Sequence, residues 1–300
     1  MQDLDEFTVT DAVLEQMAST ANPRLRQIMA AGVRHLHAFA REVNLTPAEW
    51  LEAIKFLTAV GHASTPIRQE FILLSDVLGL SALVNALHDK TATEAATQTS
   101  LLGPFFRDGA PELPAGAQIV NQPGAAEIVV HGSVVDTEGL GIPNARVQVW
   151  QTDAHGQYDL QANDPATMDA RGNFRADATG KFHFRTVRPL GYSIPMDGPV
   201  GRFVQTQARH GMRPSHIHFL VGAPGFRELV TALYLADDPN VASDTVFGVS
   251  SSLVVSIDPN DPACPIPGLA GVQYDFRLSR AAADGQGRVG ADPASIVPAH

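Results

Sequence analysis

The hydrophobic period of this 300-residue chain changes near residue 103, and that change limits the folds open to it. Over residues 8–90 apolar side chains recur at helical spacing. One stripe runs through Leu25, Ile28, Met29, Val33, Leu36 and Phe39, and a second through Trp50, Leu51, Ile54, Leu57 and Val60. A third carries Phe71, Leu74, Val77 and Leu78. Thr46-Pro47-Ala48-Glu49 is a capping box with proline at the first helical position, and Gly61 is a stop signal. The stripes predict helices whose apolar faces form core. Residues 103–124 are rich in Gly, Pro and Ala and read as a connection. Short β-type runs follow at Glu127–Val135, Ala145–Gln151, Lys181–Val187, His216–Val221, Glu228–Leu235 and Ser251–Ile257. Clusters of Gly, Pro, Asp and Asn separate them, the pattern of a sandwich or barrel. The expected fold is α+β: a helical N-terminal domain over residues 1–102, a mainly antiparallel β-sandwich over 103–280 and a flexible tail over 281–300.

Charge and cysteine usage exclude several functions. A net charge of −11 argues against nucleic acid and anionic membranes as partners, because those call for basic surfaces. No apolar run approaches the ~20 residues that span a bilayer. The start, Met-Gln-Asp-Leu-Asp-Glu-Phe, is acidic, whereas a secretory signal opens basic and turns apolar. Cys264 is the only cysteine, so neither an internal disulfide nor a thiolate zinc cluster can form. A cytoplasmic location is expected.

His216-Ile217-His218 carries the strongest chemical signal. On a strand, side chains alternate faces, so the two imidazoles point the same way and can share one metal ion. Two histidines bonded to neighbours on a half-buried strand fit the same spacing. His35-Leu36-His37 repeats that spacing within a helical stretch, where positions i and i+2 diverge, and it is read as surface.

The remaining donors narrow the metal. No histidine is followed two positions on by Asp or Glu, as a ferrous facial triad usually requires, and His-Glu-x-x-His is absent. Four tyrosines remain. Tyr158 and Tyr192 lie among Gly, Pro and Asp, in loops that can aim a side chain, whereas Tyr234 and Tyr274 lie in strand-like runs and are read as packing residues. A phenol titrates near ~10, so a phenolate at neutral pH calls for a strong Lewis acid such as Fe(III). Two imidazoles complete a set of four.

Gln157-Tyr158-Asp159, the block Arg188–Pro195 around Tyr192 and Arg213-Pro-Ser-His216-Ile-His218-Phe219 resemble signature blocks of the intradiol ring-cleavage dioxygenases. Glu70–Gly79, Leu102–Phe106 and Asp244–Val254 resemble its catechol and hydroxyquinol 1,2-dioxygenase branch, in the same order over roughly residues 10–280. The resemblance implies non-haem Fe(III) held by Tyr158, Tyr192, His216 and His218, with a small aromatic diol and O₂ as substrates. It implies that Tyr192 yields its place to the diol, that it or the displaced hydroxide takes a proton, and that Arg213 stabilises negative charge on the ring. It also implies a homodimer through the helical region, with phospholipid between the helices in some members.

By the same resemblance, Leu73, Asp76, Leu101, Gly103, Pro104, Phe105, Ile194, Pro195, Arg213 and Val246 bind substrate. An acidic group in an apolar pocket needs a polar partner. A third ring hydroxyl is one for Asp76, so benzene-1,2,4-triol (hydroxyquinol) is the expected substrate and 3-hydroxy-cis,cis-muconate, the enol of maleylacetate, the product. Asp76 also fits a local cap facing away from the ring. Ala232 stands where catechol enzymes often carry glutamine. The alternatives are a catechol or chlorocatechol 1,2-dioxygenase, a non-catalytic metal-containing β-sandwich carrier, and a zinc hydrolase using the same histidines.

Overall fold

The structure is a computed structural model that describes residues 4–65, 68–89, 95–120, 126–161 and 167–281. Past Ala281, the expected flexible tail lies outside the described residues. The chain divides into two compact units, one running to Ala59 and one beginning at Val60.

The first unit is helical: α1 (Val9–Gln16), α2 (Pro23–Glu42) and most of α3 (Pro47–Ala63). Asn22 caps α2 by accepting from the backbone N–H groups of Arg24 and Leu25, with Pro23 starting the first turn. At the head of α3, Thr46 and Glu49 form the expected reciprocal box: Thr46 N donates to Glu49 Oε2 at 2.9 Å and Glu49 N to Thr46 Oγ1 at 3.3 Å. Arg41 ties α2 to α1 through Thr10 Oγ1 at 3.2 Å and to the turn before it through the Glu6 carbonyl at 2.9 Å. His37, read as surface, is half-buried and bonds Thr10 at 2.9 Å.

The first two helical stripes do not form the core expected of them, whereas the third buries Leu74 and Val77. Leu36 is 65% exposed, Trp50 55%, Phe39 51% and Ile28 47%; of the second stripe only Val60 is buried. Periodicity records that a helix has an apolar face, and nothing among the described residues covers these faces.

The second unit opens with α4 (Glu70–Val77) and α5 (Leu80–Asp89). Gly79, at φ +73°, makes the left-handed turn between them. Then come β1 (Glu127–Asp136), β2 (Arg146–Gln151), β3 (Arg171–Arg175), β4 (Lys181–Val187), β5 (Tyr192–Ser193), α6 (Pro199–Thr206), β6 (Met212–Arg213), β7 (His216–Gly222), β8 (Leu229–Leu235), β9 (Val254–Val255), β10 (Ala270–Gln273) and β11 (Phe276–Leu278). One sheet runs β3-β2-β7-β8-β9; in the other, β1 carries β4 on one edge and β10 and β11 in succession on the other. The sheets are mixed, not strictly antiparallel: the inner pairings are antiparallel, and β9, β10 and β11 join in parallel at the margins. The periodicity missed β3, β10 and β11 and overextended β9, whose first residues form a 3₁₀ turn.

The strand β7 is buried along nearly its whole length. Ile217, Phe219 and Val221 enter the main core with Val147, Val149, Phe184 and Leu233. Their neighbours His216, His218 and Leu220 therefore point to the opposite face, where Leu220 packs with Trp150, Tyr158 and Tyr192. Leu102, Phe105 and Phe106 close over that second face.

Candidate active site

Strand register fixes the floor of the second face. Trp150, His218 and Ala232 stand opposite one another across β2, β7 and β8, and His216 stands opposite Tyr234. The Trp150 indole stacks on His218 with ring centroids 4.9 Å apart. His216 Nδ1 lies 2.6 Å from the Pro214 carbonyl, which can only accept, so Nδ1 carries the proton and the Nε2 lone pair faces inward. Ala232, small and opposite His218, offers no polar partner, and the Leu101 backbone is the group that bonds the His218 ring.

Two loops bring in the tyrosines. Asp153 accepts the N–H groups of His155 and Gln157, and Gly156 turns at φ +79°, delivering Tyr158 to the interior at 1% exposure. The next residue, Asp159, is held by Arg171 Nε at 2.6 Å and Arg107 at 3.2 Å. Arg171 also donates to the Phe105 carbonyl at 3.2 Å, and the Phe105 ring stacks on Tyr158 at 4.2 Å. Tyr192 pairs with Arg213 between β5 and β6. Gly191 permits this close crossing, since a Cβ there would lie 2.6 Å from the Arg213 carbonyl.

The structure thus brings Tyr158, Tyr192, His216, His218 and Arg213 together. Tyr158 Oη lies 3.3 Å from His216 Nε2, and the two histidine Nε2 atoms lie 3.1 Å apart. Arg213 Nη1 is 3.5 Å from Tyr192 Oη and 3.3 Å from His216 Nε2. Burial, then the Arg213 charge, lowers the His216 pKa to about 3, and burial with the neighbouring His216 lowers His218. Both imidazoles are therefore neutral, the form that donates to a metal. Burial opposes the Arg213 charge, but Asp244, Tyr192 and Tyr234 outweigh it and hold the guanidinium protonated. Burial, with Tyr192 adding to it, pushes the Tyr158 phenol up. A phenolate there requires a cation beside it.

The donor set fits such a cation. Two facing imidazole nitrogens at 3.1 Å share either one proton or one metal ion. Two phenols and two neutral imidazoles suit a hard, highly charged metal. Among the described residues, no group of three or more His, Cys, Asp or Glu side chains could hold a metal, so a metal bound here would draw on the tyrosines.

The other predicted residues are distributed around it. Gly103, at φ +72°, lies so close that a Cβ would be 3.4 Å from His218 Nε2. Leu101 is buried, Pro104 is exposed and Phe105 also meets Tyr192 edge-on at 6.0 Å. Ile194 is buried, with Pro195 half-buried beside it, and Val246 donates its N–H to Asp244 at 3.3 Å. Asp76 is buried on α4, and half-buried Leu73 is one turn away on the same helix. Burial raises the Asp76 pKa, opposed by a hydrogen bond from Ser81 and the charge of Arg213. Sequence reasoning missed Trp150 and Ser100 and read Tyr234 as packing alone; the places of Trp150 and Tyr234 depend on cross-strand register. Asp244 lay within a block already singled out.

The chain matches the dioxygenase family over residues 102–280 and the catechol dioxygenase N terminus over residues 22–96. It is 44% identical to 6-chlorohydroxyquinol 1,2-dioxygenase of Cupriavidus pinatubonensis over 85% of this chain and 92% of that one. It is 43% identical to hydroxyquinol 1,2-dioxygenase of Nocardioides simplex, over 93% and 94%. The structure superposes on hydroxyquinol 1,2-dioxygenase from Pseudomonas putida DLL-E4 with a TM-score of 0.85 at 40% identity, covering 92% of this chain and 99% of that one. The chain belongs to the intradiol ring-cleavage dioxygenase family. That family uses non-haem Fe(III).

Proposed function

We propose that this enzyme cleaves hydroxyquinol between its adjacent hydroxyls with O₂, giving 3-hydroxy-cis,cis-muconate, and that Tyr158, Tyr192, His216 and His218 hold Fe(III). The observation that carries the reading is the convergence of two buried phenols and two neutral imidazoles beside the buried Arg213. Ferric iron there supplies the Lewis acidity that ionises the diol and opens its ring to O₂. The chain's own groups do the rest. Tyr192, 8% exposed, accepts a diol proton at Oη. Arg213 offers fixed positive charge to the ring as negative charge grows. Phe105, stacked on Tyr158, keeps water from one side. Asp76 accepts the hydroxyl that distinguishes hydroxyquinol from catechol, which offsets the cost of burying a carboxyl. The names of the relatives above support the same substrate.

The test is the visible spectrum of the purified protein before and after anaerobic hydroxyquinol. A tyrosinate–iron band that shifts with the diol, returns when O₂ is admitted and leaves the muconate supports the reading. A colourless protein that takes up no iron and consumes no O₂ overturns it.

The enzyme also pairs, in this reading, through the open faces of its helices. Trp50, Ile54 and Leu57 are 55%, 43% and 44% exposed, and burying them in a second copy or in phospholipid removes that apolar surface from water. Sedimentation and lipid extraction test the two occupants.

A further inference from the structure

The Arg213 guanidinium belongs to a closed ring of hydrogen bonds. Its Nη2 approaches Tyr234 Oη at 3.5 Å and Asp244 Oδ2 at 3.4 Å. Asp244 Oδ2 also accepts from Gly248 N at 3.0 Å. Ser100 Oγ donates to the Gly248 carbonyl at 3.0 Å and lies 2.8 Å from Tyr234 Oη. One assignment of protons satisfies the whole ring. A guanidinium only donates, so Tyr234 accepts from Arg213. The single Ser100 hydroxyl proton goes to Gly248, so Tyr234 donates to Ser100.

Each member is tightly placed. Tyr234 is fully buried and fixed opposite His216. Ser100 N donates to the Val230 carbonyl at 3.0 Å. A Cβ on Gly248 would lie 2.7 Å from Tyr234 Oη. The ring also joins two pocket walls, since Ser100 precedes Leu101, and Val246 lies between Asp244 and Gly248. A guanidinium is a rigid planar fork. Anchoring Nη2 sets where Nη1 points, and Nη1 faces Tyr192 Oη and His216 Nε2.

We propose that Tyr234 is a positioning residue for ring cleavage: its hydroxyl holds the Arg213 fork so that Nη1 faces the reaction centre. Asp244 takes the Nε–Nη2 edge of the fork at 3.3 and 3.4 Å and supplies the opposing charge, and Tyr234 adds the neutral acceptor on Nη2 that, with Asp244, fixes the fork's rotation. This rests on the dioxygenase reading above.

Tyr234→Phe in the iron-loaded enzyme removes one oxygen and keeps the ring. The kcat for hydroxyquinol is expected to fall about tenfold while KM stays within about twofold. The crystal structure of the variant is expected to show a rotated guanidinium. Adding Tyr234→Phe to Arg213→Lys, which has no fork, is expected to cost less than about twofold more. An unmoved guanidinium overturns the proposal, whatever the rate. So does a fall in melting temperature with kcat and KM unchanged, which assigns the hydroxyl to stability alone. A wild-type enzyme that turns over neither hydroxyquinol nor catechol sinks the proposed function instead, and the position of Arg213 in the Phe variant still decides this inference.

Discussion

Trp150 lies face to face with His218, its indole 5° from parallel with the imidazole at a centroid distance of 4.9 Å. The stack joins a hydrogen bond to the Leu101 backbone in restraining the ring's plane. In most metal centres an outer hydrogen bond does that work. Trp150→Leu is therefore expected to weaken iron binding about 10-fold to 100-fold, the range seen when such outer supports are lost. Competition with a chelator, followed by the visible band, measures it; unchanged iron retention refutes the orienting role.

Asp76 separates the two diol substrates. Asp76→Ala is expected to lower kcat/KM on hydroxyquinol about 100-fold, because a buried hydroxyl loses a charged acceptor, and on catechol less than about threefold. Steady-state oxygen uptake on both substrates tests this. Equal losses on the two sink the role of the carboxylate in reading the third hydroxyl.

The same carboxyl makes stability depend on pH. Burial raises its folded pKa, so the folded iron-free protein resists its ionisation while the unfolded chain does not. Below the ordinary carboxylate pKa of about 4 both states hold the proton and no penalty exists; as pH rises toward and past the folded pKa, the penalty develops. Asp76→Asn is expected to raise the melting temperature of the iron-free protein by about 2 °C at pH 7, with the gain shrinking toward pH 4. A gain independent of pH counts against the cause.

Asp159 stands between the Arg171 and Arg107 guanidiniums, and the Asp159 and Arg171 side chains are 2% and 1% exposed. Asp159→Asn leaves the Arg171 charge buried without a counter-charge, which costs about 3 kcal/mol. Urea unfolding measures that loss. The Phe105 carbonyl shares Arg171, so the wall over Tyr158 is expected to loosen as well.

The two textures of the chain, the capping box at Thr46 and the shared face of His216 and His218 were legible because each depends on spacing along the chain. The loop that carries Tyr158 was legible from its Gly and Asp content, whereas Tyr192, read as a loop residue, lies in the short strand β5. Trp150 and Tyr234 were not legible, because a residue in one strand meets a residue in another only through register; the turn over 222–228 sets it for Tyr234 and the long connection from β2 to β7 for Trp150, and neither carries a readable offset. The edge strands β10 and β11 have four and three residues, too short for alternation to register. The first two helical stripes were read correctly as apolar faces but are largely exposed in this chain, since hydrophobicity does not say whether the cover comes from the same chain; the third does bury Leu74 and Val77.

β7 has no idle side. Its odd-numbered residues are part of the sandwich core and its even-numbered histidines face the candidate metal. A strand is stiff across its width, so a change in the volume of Ile217 or Phe219 tilts both imidazoles together. Drift in the interior of this protein is thereby also drift in its chemistry: variants that repack the core without losing stability can still lose turnover.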